Sequence, residues 1–236
     1  MKLPSFAQEK IIVALDVPDT DGALRLLDSI AGDGEFSGLC KIGLELFTAE
    51  GPSVVKAVQA RGCSVFLDLK FHDIPNTVAH AVRSAAGLGV AMTTLHACGG
   101  PVMLEAAAKA ADGSDLLLLA VTVLTSMDLP QLSATGITVE PEAHVLRLAG
   151  LAAAAGIGGI VCSPREITAV RNIHAGRLRL VTPGVRPIWA AAGDQKRVMS
   201  PAEAIHAGAD WLVIGRPVTA AQNPREAYDR VVAEIV

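Results

Sequence analysis

Within one apolar stretch, Val65-Phe66-Leu67-Asp68-Leu69-Lys70-Phe71-His72-Asp73-Ile74-Pro75-Asn76-Thr77, charges of both signs stand where a buried strand would carry none. Period-two alternation puts Asp68 and Lys70 on one face and Leu67 and Leu69 on the other. With the leucines packed against helices, the aspartate and lysine face a cavity, and Asp73 follows in the loop, close enough to join them. Neighbouring carboxylates favour the charged form of an ammonium. An ammonium held between carboxylates at a strand end marks a candidate site. The alternative is an ion pair that merely closes a strand. A third charge beside it counts against a purely structural role, because burying ions costs of order several kcal/mol each before compensation.

Two further strand ends point to the same place. Asp16 follows Ala14-Leu15, and Lys41 sits within Cys40-Lys41-Ile42-Gly43. Only seven lysines occur in the chain, yet Lys41 and Lys70 both interrupt apolar strands. Each alone is weak, since an acid ending a strand reads equally well as a helix cap; together they form an alternating Asp/Lys set from three consecutive strands. Toward the C-terminus, Thr182-Pro183-Gly184-Val185-Arg186-Pro187, Gly193-Asp194-Gln195 and Ile214-Gly215-Arg216-Pro217 follow two more strands. In barrels of parallel strands the last two loops often hold phosphate. Gly215 permits close backbone approach, and Arg216 can grip a dianion in bidentate fashion. His96 reads as a packing or hydrogen-bonding residue at the end of its strand. A metal on Asp68, His72 and Asp73 is conceivable, but Lys70 would compete with the cation.

The elements that must position these residues are read from periodicity and punctuation. Strands are expected over Ile11–Asp16, Leu39–Gly43, Val65–Lys70, Met92–Ala97, Leu116–Leu124, Gly159–Ser163, Arg179–Val185 and Trp211–Gly215. Several are continuous apolar runs, as strands covered on both faces should be. Between them, helix signals mark Thr20–Ala31, Pro52–Ala60, Asn76–Gly87, Pro101–Ala111, Pro141–Ala155, Pro164–His174, Pro201–Ala207 and Pro224–Val236, most opening on proline. Strand and helix alternating eight times, without a linker or composition break, predict one domain over residues 1–236: an α/β fold, a single (β/α)8 TIM barrel. No G-x-G-x-x-G follows the first strand, which weighs against the dinucleotide-binding alternative.

Composition agrees. The chain has 236 residues, 51% hydrophobic and 19% charged, with a mean hydropathy of +0.42. A net charge of −4 and a pI near 5.9 leave no basic field for nucleic acid. Cys40, Cys63, Cys98 and Cys162 are scattered without a C-x-x-C pair and read as buried free thiols of a reducing compartment. Met1–Lys10 lacks the apolar core of a signal peptide, and the longest apolar run, Leu116–Leu124, is too short to span a bilayer. The expectation is a cytoplasmic protein without a membrane partner.

The constellation resembles the orotidine 5′-phosphate decarboxylase family over nearly the whole chain. The resemblance rests on Ala14-Leu15-Asp16, Lys41-Ile42-Gly43, the block Phe66 to Thr77, Leu124-Thr125-Ser126-Met127, Val161-Cys162-Ser163 and the three late segments above. It implies decarboxylation of orotidine 5′-monophosphate (OMP) to UMP, the last step of pyrimidine synthesis, with no metal or other cofactor. It implies that Lys70 protonates C6, that Asp68 lies beside the substrate carboxylate, and that Lys41 and Asp73 complete the charged network. Asp16 and Lys41 would hold ribose hydroxyls, and Thr125 and Ser126 would lie near the base. Arg186, Gln195, Gly215 and Arg216 would line the phosphate. Asp73 and Thr77 would reach into the neighbouring subunit's site, making a homodimer with shared sites. Departures are mild: Pro164 and Arg165 after Ser163, and the stretch 188–192. Two rival readings are a Mg-dependent keto-sugar-phosphate decarboxylase or aldolase of the same superfamily, and a non-catalytic barrel that binds nucleotide phosphates.

Overall fold

A computed structural model describes residues 6–32, 34–190 and 199–235. Eight parallel strands close in sequence order into a barrel, with β8 pairing back to β1. The strands are β1 (Ile11–Ala14), β2 (Leu39–Gly43), β3 (Ser64–Phe71), β4 (Met92–His96), β5 (Leu117–Val121), β6 (Gly159–Val161), β7 (Arg179–Thr182) and β8 (Trp211–Ile214). The surrounding helices are α1 (Phe6–Glu9), α2 (Thr20–Ala31), α3 (Leu44–Glu50), α4 (Pro52–Ala60), α5 (Pro75–Gly87), α6 (Pro101–Ala111), α7 (Leu129–Ala134), α8 (Pro141–Ala154), α9 (Ile167–His174), α10 (Pro201–Ala207), α11 (Arg216–Thr219) and α12 (Pro224–Ile235). The expected (β/α)8 barrel is therefore the observed fold.

Helix starts follow local chemistry. Asp19, one residue before the expected start, caps α2 by accepting the Gly22 N–H at 2.6 Å. Ser200 and Glu203 close a capping box at α10. Proline opens α4, α5, α6 and α8, where its missing N–H would have no partner anyway. The short helices α1, α3, α7 and α11 were not expected, being only 4 to 7 residues long. Most strands also leave the ladder earlier than expected, so Asp16, Ala97, Leu124, Ser163, Val185 and Gly215 lie just beyond the strands. β3 is the exception and runs on to Phe71.

Alternation along the strands builds two apolar layers. Ile12, Ala14, Phe66, Met92, Leu119, Val181 and Val213 fill the barrel interior. Ile11, Val13, Cys40, Ile42, Val65, Leu67, Leu95, Leu118, Ala120 and Ile160 face the helices. Gly159 is required where three strands crowd together, because a Cβ there would fall 2.6 Å from the Arg179 carbonyl and 2.8 Å from Leu119. Three cysteines are buried as expected; Cys98, in the loop after β4, is exposed instead. No helix among the described residues is long and apolar enough to cross a membrane.

Phe66 is the largest side chain in the plug and also floors the cavity above it. Phe66→Ala should lower unfolding stability by about 3–5 kcal/mol, measured by urea titration. A loss below about 1 kcal/mol would mean that the plug is not packed as described.

Candidate active site

Above the plug, at the C-terminal ends of the strands, lies a cavity of about 210 Å³. Lys41, Asp68 and Lys70 enter it from one side, and Val121, Val123, Pro183 and Val213 form apolar walls opposite. Thr125 lies on its edge. A larger open groove of about 620 Å³ runs between the ends of α8 and α9 at the other end of the barrel. Its lining is mostly glycine and alanine, with His174 and Arg177 and no paired charges. The paired charges lie in the smaller cavity.

The charges are organised as two ion pairs. Lys70 Nζ meets Asp68 Oδ2 at 2.8 Å, with 28% and 13% of the two side chains exposed. Lys41 Nζ meets Asp16 Oδ1 at 2.8 Å, where the lysine is mostly buried and the aspartate open to solvent. Gly43 leaves room for this second pair: a Cβ on it would lie 3.0 Å from the Lys41 ammonium. The alternating Asp/Lys set read from three strands thus exists, as one pair within β3 and another joining β2 to the segment just after β1.

The backbone under the first pair is irregular. Lys70 has φ of 51°, a left-handed conformation that a side chain with Cβ rarely adopts. The cause is a mismatch between neighbouring strands. Leu67 is opposite Thr93 and Phe71 opposite Leu95, so Asp68, Leu69 and Lys70 together face the single residue Thr94. Such a bulge re-aims side chains locally. Thr94, fully buried, fills the gap: its hydroxyl accepts the Lys70 N–H at 2.8 Å and donates to Asp68 Oδ1 at 2.8 Å. Asp68 is therefore held through both oxygens, one by an ammonium and one by a hydroxyl. Sequence reasoning overlooked Thr94, although period two places it on the inner face with Met92 and His96.

His96 ends β4 with its ring 5.5 Å from that of His72. Burial holds its pKa below the usual value, and the neighbouring His72 and Lys70 push the same way while Asp68 opposes them. The ring packs against that of His72, and its lowered pKa favours the neutral form. Cys162 lines the cavity, but burial pushes its thiol up to about 12, so it is no nucleophile at neutral pH.

The other expected site residues divide. Asp73 is exposed and, within this chain, accepts the Ile74 N–H at 2.6 Å rather than meeting Lys70. Thr77, in the first turn of α5, is exposed beside it. Ser126 is exposed just past Thr125. Gly215 borders Asp16, since a Cβ on it would lie 3.8 Å from Asp16 Oδ2, and Arg216 follows, exposed, at the start of α11. The Arg186 N–H donates to the Met199 carbonyl at 2.9 Å, and its guanidinium turns back to the Val185 carbonyl at 3.0 Å. Gln195, with Gly193 and Asp194, lies outside the described residues. As for metal-type donors, no group of three His, Cys, Asp or Glu converges to hold an ion among the described residues.

Comparison with known proteins places the whole chain among relatives. A family profile described as "Orotidine 5'-phosphate decarboxylase / HUMPS family" matches residues 9–231. A protein of Moorella thermoacetica named orotidine 5'-phosphate decarboxylase is 51% identical over 237 residues, covering 97% of this chain and 93% of its own. One of the same name from Haemophilus influenzae is 54% identical over 222 residues, covering 92% of this chain and 94% of its own. Among solved structures, the orotidine 5'-phosphate decarboxylase of Lactobacillus acidophilus superposes with a TM-score of 0.82 at 34% identity, over 96% of this chain and 99% of that one. With the barrel, the family profile and full-length similarity in agreement, the chain belongs to the orotidine 5'-phosphate decarboxylase / HUMPS family.

Proposed function

We propose that this protein decarboxylates orotidine 5′-phosphate to UMP, with Lys70 as the proton donor. The observation that carries the reading is the Lys70–Asp68 pair, held at 2.8 Å in the mouth of a barrel whose full-length relatives bear that enzyme's name. The substrate's ring would lie against the apolar walls, with Thr125 and Ser126 near the base and Asp16 and Lys41 at the ribose. Its C6 would sit above Lys70, and its carboxylate beside Asp68. When the bond from C6 to the carboxyl carbon breaks, CO2 leaves and the electron pair remains on C6. The Lys70 ammonium stabilises that charge and passes a proton to the carbon, then regains one from solvent. Asp68 faces the substrate carboxylate as a like charge, a contact that departing CO2 relieves. No redox step or electron-accepting cofactor enters this balance.

The phosphate would be held beyond the ribose by Gly215 and Arg216, with Arg186 and Gln195. The nearness of Gly215 to Asp16 supports this order of subsites, because ribose and 5′-phosphate are adjacent in the nucleotide. Phosphate binding far from the reacting carbon can be used to align the base.

The reading includes a cytoplasmic homodimer with shared sites. Leu44, Ile74 and Val102 are 53%, 66% and 66% exposed on the segments that leave β2, β3 and β4. Large apolar side chains gathered on one rim favour a protein partner. Asp73 and Thr77 stand on that rim, facing solvent within one subunit, and are free to complete a neighbour's site.

A spectrophotometric assay of orotidine 5′-phosphate loss, on wild type and Lys70→Ala with and without EDTA, tests the proposal. Wild type should turn over regardless of EDTA, and Lys70→Ala should lose about 10³-fold or more in kcat. Activity abolished by EDTA would contradict a metal-free reaction, and no activity on this nucleotide would favour the keto-sugar-phosphate enzyme or the phosphate-binding barrel. Arg216→Ala should raise KM roughly 10- to 100-fold through loss of a charge-assisted clamp; an unchanged KM would move the phosphate elsewhere. Mixing inactive Lys70→Ala and Asp73→Asn subunits should restore part of the activity, since one of the two shared sites would be intact. A mixture as inactive as its components would argue against sharing.

A further inference from the structure

We infer that Thr94 is a positioning residue for the proposed decarboxylation: its hydroxyl fixes both the left-handed backbone of Lys70 and the carboxylate of Asp68. This deepens the functional reading and rests on it. The bulge puts Asp68, Leu69 and Lys70 of β3 against one residue of β4, so the Lys70 N–H cannot find its usual ladder carbonyl. The Thr94 hydroxyl takes that N–H and returns its own proton to Asp68 Oδ1, both at 2.8 Å. One side chain thus satisfies a backbone donor and aims a carboxylate.

The requirement is demanding. A φ of 51° at a residue with Cβ persists only where its surroundings fix it. Thr94 is fully buried and does not line the cavity, whereas Lys70 and Asp68 do, so the residue acts through them rather than on substrate. The neighbouring Thr93 acts elsewhere. Its hydroxyl donates to the Leu67 carbonyl at 2.8 Å on the helix side, where the regular pairing ends. The two threonines therefore bracket the bulge, the outer one securing its entry and the inner one its reactive end.

Without the Thr94 hydroxyl, the Lys70 N–H and one Asp68 oxygen lose their shared partner, and the ammonium can settle away from the position needed for C6. Ground-state binding of the nucleotide, which rests on the phosphate, ribose and base contacts, is not touched directly. The signature is a fall in kcat at nearly constant KM.

The test compares wild type, Thr94→Val and Thr94→Ser for kcat and KM toward orotidine 5′-phosphate, for UMP affinity, and for thermal melting. Thr94→Val keeps the volume and loses the hydroxyl; its kcat should fall roughly 10- to 100-fold, with KM and UMP affinity changed by less than about threefold. Thr94→Ser keeps the hydroxyl and should recover most of the rate. A purely structural role would instead lower the melting temperature and the folded fraction while leaving the rate per folded site unchanged, and that result would overturn the inference. So would a Thr94→Ser as slow as Thr94→Val. Should Thr94→Val not fold, Thr94→Cys, similar in size and a far weaker donor, takes its place under the same expectations. A wild type without decarboxylase activity would overturn the functional reading together with this role; an active wild type matched by Thr94→Val would overturn this role alone.

Discussion

The site depends on a mismatch between two neighbouring strands. β3 spends three residues where β4 spends one, and the surplus sets Asp68 and Lys70 side by side above the apolar plug. In a regular strand those residues would share a face, but nothing would turn Lys70 into a left-handed conformation. The conformation stores strain of order 1–3 kcal/mol. The barrel sustains it because Thr94 satisfies the displaced N–H and the strands on either side are pinned in a closed sheet. A closed barrel has no edge along which the irregularity could be released.

Around this feature the molecule separates its functions by height along the barrel axis. Phe66, Met92, Leu119 and Val181 make a dry floor. One layer higher, Lys41, Asp68 and Lys70 enter a cavity whose other walls are mostly apolar, valines with Leu124, Cys162 and Pro183. Apolar walls exclude water and strengthen the field of an ammonium on any charge formed beside it. Beyond the strands come groups more open to solvent, Asp16, Ser126 and Arg216, suited to the polar parts of a nucleotide.

The architecture was legible because its signals are local and repeated. Apolar runs bounded by prolines and glycines gave all eight strands, and the Asp/Lys pattern could be assigned to an inner face by parity alone. What parity could not supply was the bulge. It arises from the register between strands, which single-strand periodicity does not carry. Thr94 was overlooked for that reason, since its part is visible only when it faces three residues at once. Asp73 shows the opposite limit. Its closeness in sequence suggested a place beside Lys70, whereas within this chain the turn before α5 points its carboxylate at the Ile74 N–H. The short helices α3, α7 and α11 escaped because fewer than two or three turns leave little periodicity to read.

The most direct measurement is a crystal structure of the protein with UMP bound. The account predicts C6 within about 3.5 Å of Lys70 Nζ, Asp68 still joined to Lys70 and Thr94, and the phosphate at Gly215 and Arg216. A nucleotide bound in the reverse sense, a Lys70 ammonium turned out of the cavity, or a divalent ion seated between Asp68 and Asp73 would contradict it.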